Sequence, residues 1–292
     1  MRIYFAAYET QKSSYKIELP LDSNLFLTYF YHKKVNAELP NLKPKGHTGI
    51  ITIDSGAHSF FEQMGVSVTG KKEKKGKKAQ QDPEVYFAKY LEWVKEWYNY
   101  FDYFVELDLQ EVVGQKRVTE WREIMAAEGV YDKCITVFHS SNTEREFDEL
   151  LDTSHSGYIG LEGIRPSQPM LPYNRYLKKA YDAKVKVHGF AFTRADLLYD
   201  FPFYSVDSSS WCTVVRYGVF QIFNNGRMLS CAPVKDHFIR SNIPIFMHNS
   251  FRKPEEIKVK EEWACTHYKQ LEYFFTDLWM YRGIDWEGNL AL

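Results

Sequence analysis

What most constrains this chain is a recurring unit: a short run of β-branched and aromatic residues, a polar residue that closes it, then a stretch with helical spacing. Gly49–Ile53, Tyr103–Leu107, Cys134–Phe138, Tyr158–Leu161, Val185–Phe192 and Tyr204–Val206 read as strands, preceded by two more apolar runs at Arg2–Ala7 and Leu25–Tyr31. Helical segments fall between them. Asp82-Pro83-Glu84 opens one with an N-cap and a first-turn proline, and Val85, Tyr86, Tyr90, Trp93, Val94 and Trp97 then recur on one face as core. Others span Lys116–Glu128, closed by Gly129, then Thr143–Leu151 and Tyr173–Asp182, while Pro40, Pro44 and Gly46 read as a loop. Such alternation builds a parallel sheet with helices outside it, and a closed (β/α)8 barrel of the TIM type suits 292 residues in one domain. The pattern weakens after Asp207. Tyr217–Phe223, the turn Asn224-Asn225-Gly226 and Met228–Ala232 read as a hairpin, and Tyr268–Tyr281 as a terminal helix, a small C-terminal appendage over 217–282.

Composition narrows the partners. Hydrophobic residues make up 45% and aromatics 17%, enough for a sizeable core without disulfides or metals. The formal net charge of −1 excludes a protein that holds nucleic acid by overall charge and leaves that task to local patches. One such patch is the basic loop 70–78, in which Lys71, Lys72, Lys74, Lys75, Lys77 and Lys78 crowd together. A run of this kind is either a solvated loop or a phosphate grip. Cys134, Cys212, Cys231 and Cys265 are scattered and form no C-x-x-C pair, the pattern of reduced thiols in a cytoplasmic protein. The sequence shows neither a signal peptide nor an apolar run of about 20 residues, so no membrane association is expected.

The chemistry lies at the strand ends. In a barrel these converge on one mouth, which would gather Asp54, Asp108, His139, Glu162, His188 and Asp207 although they are dispersed along the chain. Carboxylates facing one another there serve two chemistries. They could hold a metal, or they could act on a sugar, one acid attacking the anomeric carbon while another shuttles a proton. The metal reading wants clustered ligands such as His-x-His on the first strand, which this chain lacks, so displacement at a sugar carbon is favoured.

Thr52-Ile53-Asp54-Ser55-Gly56-Ala57, the Glu106-Leu107-Asp108 strand end, Ile159-Gly160-Leu161, Val187-His188-Gly189-Phe190-Ala191 and Ser205-Val206-Asp207-Ser208 occur in the order and approximate spacing of a known family. Over residues 49–211 the chain resembles the tRNA-guanine transglycosylase superfamily, and most of all its phage and bacterial branch of 7-deazaguanine DNA transglycosylases. The resemblance implies exchange of guanine for a free 7-deazaguanine base through a covalent intermediate. Asp207 would be the nucleophile at C1′, Asp54 the general acid/base, and Asp108 the acceptor for the base's N–H edge. Gly160 and the backbone near it would read the base carbonyl.

Departures from the family pattern are as informative. His58 stands where an aromatic commonly covers the base, and His139 where a base-reading glutamine is expected; these two, with Glu162, His188 and Gly189, complete the expected substrate-binding set. The C-x-C-x-x-C…His zinc site of the tRNA enzymes is absent, and the spacing of Cys231, His237, Cys265 and His267 matches no zinc pattern, so no zinc or other cofactor is expected. A barrel without that subdomain suits DNA better than tRNA, with the lysine loop and Arg194 as phosphate contacts. The target nucleotide would be flipped or single-stranded, with Trp211 either wedged beside it or buried against the last strand. A zinc-less tRNA enzyme and a non-catalytic nucleic-acid-binding partner are the alternatives.

Overall fold

The computed structural model describes residues 1–11, 16–64, 82–164, 170–217, 219–231 and 254–291. Eight parallel strands close into a barrel in chain order: β1 (Arg2–Ala6), β2 (Asn24–Thr28), β3 (Ile51–Asp54), β4 (Tyr103–Val105), β5 (Cys134–Phe138), β6 (Tyr158–Leu161), β7 (Lys186–Gly189) and β8 (Ser205–Ser208). Closure is the pairing of β1 with β8, where Tyr4 lies opposite Asp207. Helices surround the strands, as expected for a (β/α)8 barrel of the TIM type.

The helices fall where local chemistry puts them. Asp82 caps Pro83–Trp97 by accepting from the Glu84 amide at 2.9 Å, and Thr143 with Glu146 forms a capping box at Glu144–Thr153. Gly129, at φ +73°, follows the helix Gln115–Ala127. Two expectations need correction. Pro40 is not in a loop but in the last turn of the helix His32–Leu42, because Val35, Leu39 and Leu42 bury one face of that helix. Val85 is exposed and does not share the buried face of Tyr86, Tyr90, Trp93 and Val94.

Beyond β8 the antiparallel hairpin β9 (Phe220–Asn224) and β10 (Arg227–Cys231) forms a separate two-stranded sheet. Tyr217 belongs to a short helix before it rather than to the strand. The terminal helix is longer than its apolar run, covering Pro254–Tyr281. Its Glu272 accepts from the Ile3 amide at 2.6 Å and binds Lys269 at 3.1 Å, so this helix lies against β1 and flanks the closing pair.

The lumen is aromatic and polar, where most barrels carry Val, Ile and Leu. Rings on strands that do not adjoin come together: His188 of β7 lies 5.5 Å from Tyr4 of β1 and stacks on Phe26 of β2 at 5.3 Å. Only side chains inside the barrel can meet in this way. The alternate residues, such as Ile3, Phe5, Leu25, Leu27, Ile51 and Ile53, are buried facing outward under the helices.

One buried ion pair ties a helix to the sheet. Glu106, just past β4, receives both Arg122 Nε at 2.6 Å and Nη2 at 2.7 Å, and accepts from the Val137 amide of β5 at 2.6 Å. Removing one partner leaves the other charge buried and unmatched. Arg122→Met is therefore expected to lower the unfolding free energy by about 3 kcal/mol; a urea midpoint equal to wild type would show that the pair does not hold this junction.

Candidate active site

Asp54 and Asp207 end strands on opposite sides of β1, and their carboxyls lie close enough for the charge of Asp207 to act on Asp54. Asp54 is pushed up to about 6, first by burial and then by Asp207, against hydrogen bonds from the Thr28 hydroxyl and the Gly56 amide. The turn after it admits only glycine. Gly56 sits at φ +78°, and a Cβ there would come within 2.7 Å of Phe30 Cβ and 3.0 Å of the Tyr86 hydroxyl. His58, exposed at the start of the next helix, faces Asp54 closely enough to favour its ionised form.

Asp207 is held from behind. Its Oδ1 accepts from the Ala191 amide at 2.6 Å and lies 3.3 Å from His188 Nε2. Ala191 adopts φ +53°, a left-handed conformation uncommon for alanine, and the bend it makes after β7 aims that amide at the carboxylate.

Across the mouth is a second centre. His139 Nε2 is 2.7 Å from Asp108 Oδ1, and Nδ1 is 3.1 Å from Glu162 Oε2, while Glu162 Oε1 accepts from the Ser140 amide at 2.5 Å. Burial alone would depress the imidazole, but the charge and hydrogen bond of Asp108, joined by Glu162, outweigh it and hold the ring up to about 10. Burial likewise pushes Glu162 upward, and its bonds from His139 and Ser140 reverse this and hold it down to about 2. The centre is thus an imidazolium between two carboxylates. Asp108, at 25% side-chain exposure, is the member that faces outward.

Several expected contacts are corrected by burial. His188 is fully buried with both ring nitrogens engaged inside the protein, and His139 is buried with both of its own engaged, each against a carboxylate. The ring of Phe190 covers Gly160, where an added Cβ would strike it at 2.3 Å, so a base reaching that backbone must displace Phe190 or stack on it. Gly189 packs against the Phe203 ring, which a Cβ there would approach to 2.9 Å, and lies in the core. Trp211 is fully buried and donates to the Ala6 carbonyl at 2.9 Å, which makes it a barrel closure residue and not a wedge.

Arg194 is exposed on the rim and paired with Asp196 at 2.5 Å. It lines a polar cleft of about 680 Å³ with Thr193, Ser210, Gln221, Arg227 and Tyr268, beside the end of β8, the strand that carries Asp207. Lys71, Lys72, Lys74, Lys75, Lys77 and Lys78 lie outside the described residues, as do His237 and the side chain of Cys231. Among the described residues no three His, Cys, Asp or Glu side chains are arranged to hold a metal ion.

One acid escaped the strand-end pattern. Glu9 lies three residues beyond β1, at 2% exposure, and is pushed up to about 7 by burial and by the charge of Asp54, although Lys16 and nearby amides of Glu9 and Thr28 oppose this. Neither of its oxygens makes a hydrogen bond of ordinary geometry. Ala7, left-handed at φ +68°, turns the chain back to place it there. Ala7 and Tyr8 separate Glu9 from the strand end, which hides it in the sequence; the only signal is an acid soon after a buried first strand.

No family model matches the chain, and neither a curated protein nor a solved structure matches it.

The charges across the mouth make stability depend on pH. The part due to His139 is complete below its ordinary value of 6.5 and is lost as pH rises through about 10. The part due to Glu162 is complete above 4.5 and is lost as pH falls through about 2. Thermal melts of wild type and His139→Gln are expected to differ most between pH 4.5 and 6.5 and to converge as pH passes 10; a constant gap would contradict the charged imidazole.

Proposed function

We propose that the protein is a pentosyltransferase that replaces guanine in DNA with a 7-deazaguanine through an ester between Asp207 and C1′. The observation that carries this reading is the pairing at one mouth of two carboxyls with different surroundings, Asp207 anchored through one oxygen and Asp54 retaining its proton up to about 6. Separate environments for two acids are what a nucleophile and a proton donor require.

In the first half, a carboxylate oxygen of Asp207 bonds to C1′ as the C1′–N9 bond breaks. The bond's electron pair leaves with guanine, which takes the proton of Asp54. In the second half, Asp54 as carboxylate accepts the N9 proton of the incoming base, whose freed electron pair attacks C1′ and returns Asp207 as carboxylate. Asp108 accepts from the N–H edge of either base, and the imidazolium of His139 fixes its orientation. His58 is placed to stack over the base from the rim. The cleft beside the end of β8, with Arg194 and Arg227, suits the strand flanking a flipped nucleotide, and the lysine loop adds phosphate contacts.

Single-stranded DNA incubated with the protein and labelled 7-deazaguanine is expected to give a denaturation-resistant adduct and label in the DNA. Asp207→Ala should form neither; an undiminished adduct would remove Asp207 as nucleophile. Label entering tRNA and not DNA would mark a zinc-less tRNA enzyme, and binding of DNA with no label in either would mark a non-catalytic partner.

The pH dependence follows from Asp54. Expulsion of guanine needs its proton, so the single-turnover rate is expected to fall as pH rises through about 6. Asp54→Asn should slow the step by about a hundredfold or more and abolish that limb; an unchanged profile would assign the proton to another group.

A further inference from the structure

We infer that Oδ2 of Asp207 is the attacking oxygen, and that His188, Ser205 and Tyr158 form a buried column whose role is to hold Oδ1. This rests on the base-exchange reading and adds positioning residues to it.

Both contacts on Asp207, the Ala191 amide and His188 Nε2, fall on Oδ1. His188 cannot turn away, because its ring is stacked on Phe26 at 14°, lies 4.8 Å from Phe190, and has Nδ1 2.6 Å from Ser205 Oγ. Ser205 is in turn hydrogen-bonded to the Tyr158 hydroxyl, which lies 3.3 Å from that of Tyr4. Strand register dictates this column. Ser205 and Asp207, two apart on β8, point the same way into the lumen, and His188 is the registered partner of Ser205.

A carboxylate only accepts hydrogen bonds. The Nε2 that faces it therefore carries a proton, Nδ1 and the Tyr158 hydroxyl share the Ser205 hydroxyl between them, and the Tyr158 hydroxyl donates to that of Tyr4. Acid, imidazole and serine occur here in contact, yet the serine is fully buried beneath the ring and reaches no substrate, so it serves as an anchor and not as a nucleophile.

With Oδ1 held twice, Oδ2 forms the bond to C1′, and Oδ1 becomes the ester carbonyl oxygen. In the return step the Oδ2–C1′ bond breaks, its electron pair stays on the carboxylate, and the two donors on Oδ1 stabilise that leaving group. Weakening the column should therefore slow ester breakdown more than ester formation.

The test uses Tyr158→Phe and Ser205→Ala in the full chain, following adduct formation and its discharge by free 7-deazaguanine separately. Each variant is expected to slow discharge by about tenfold, so that adduct accumulates above the wild-type level, with KM for the free base unchanged. Wild-type discharge, or a parallel fall in formation and discharge, would overturn the positioning role. Nitrogen NMR on histidine-labelled protein reads the column without any reaction. It should show His188 protonated at Nε2, with that signal displaced in Asp207→Asn; protonation at Nδ1 alone would overturn the inference. If wild-type protein forms no adduct while the NMR result holds, the column stands as a structural anchor and the base-exchange reading fails.

Discussion

Closure of the barrel between β1 and β8 is the constraint on which every other feature of the site depends. Arg2–Phe5 pair with Ser205–Ser208, joining the first residues of the chain to residues some two hundred positions later. That pairing sets Asp207 beside the loop carrying Glu9, with Asp54 two strands further round on β3. The terminal helix bears on the same seam through Glu272 and the Ile3 amide, so a segment remote from the chemistry secures it. A closed frame also holds the carboxyls in fixed positions relative to one another.

Several of the lumen's polar groups are satisfied by one another rather than excluded. A buried hydroxyl or imidazole without a partner is costly, and one inside a connected network is not. Tyr4, Tyr158, Ser205 and His188 form such a network, and Lys186 extends the polar lining by donating to the Tyr103 hydroxyl at 2.8 Å. Glu9 is the exception among these acids. With no ordinary hydrogen bond to its oxygens, it relieves its burial by holding a proton.

Two electrostatic regimes therefore share the mouth. On the β4–β6 side, charges are matched, and Asp108 and Glu162 flank an imidazolium. On the β1–β3–β8 side, Glu9, Asp54 and Asp207 crowd one another, and burial raises Glu9 and Asp54, which makes proton transfer near neutral pH available. The first regime suits recognition of a fixed hydrogen-bonding edge and the second suits displacement, and the barrel separates them by only its own width.

The sequence by itself determined the architecture and most of the strand ends. Short runs of β-branched and aromatic residues, a cap such as Asp82, and the acids closing Ile51–Asp54 and Ser205–Ser208 are local signals, legible because each reflects the backbone's own preferences. Only the tertiary structure decided which of those polar residues are sealed in the core and which stay open at the mouth. His188 and Asp207 look alike as strand-end residues, yet one is sealed under Phe26 and Phe190 while the other stays partly open. Gly160 looks like a place for a base until Phe190, thirty residues on, is seen to cover it. Glu9 joined the site only because a left-handed alanine bends the chain back. Burial and partner choice arise from contacts between strands far apart in sequence, and no local pattern encodes them.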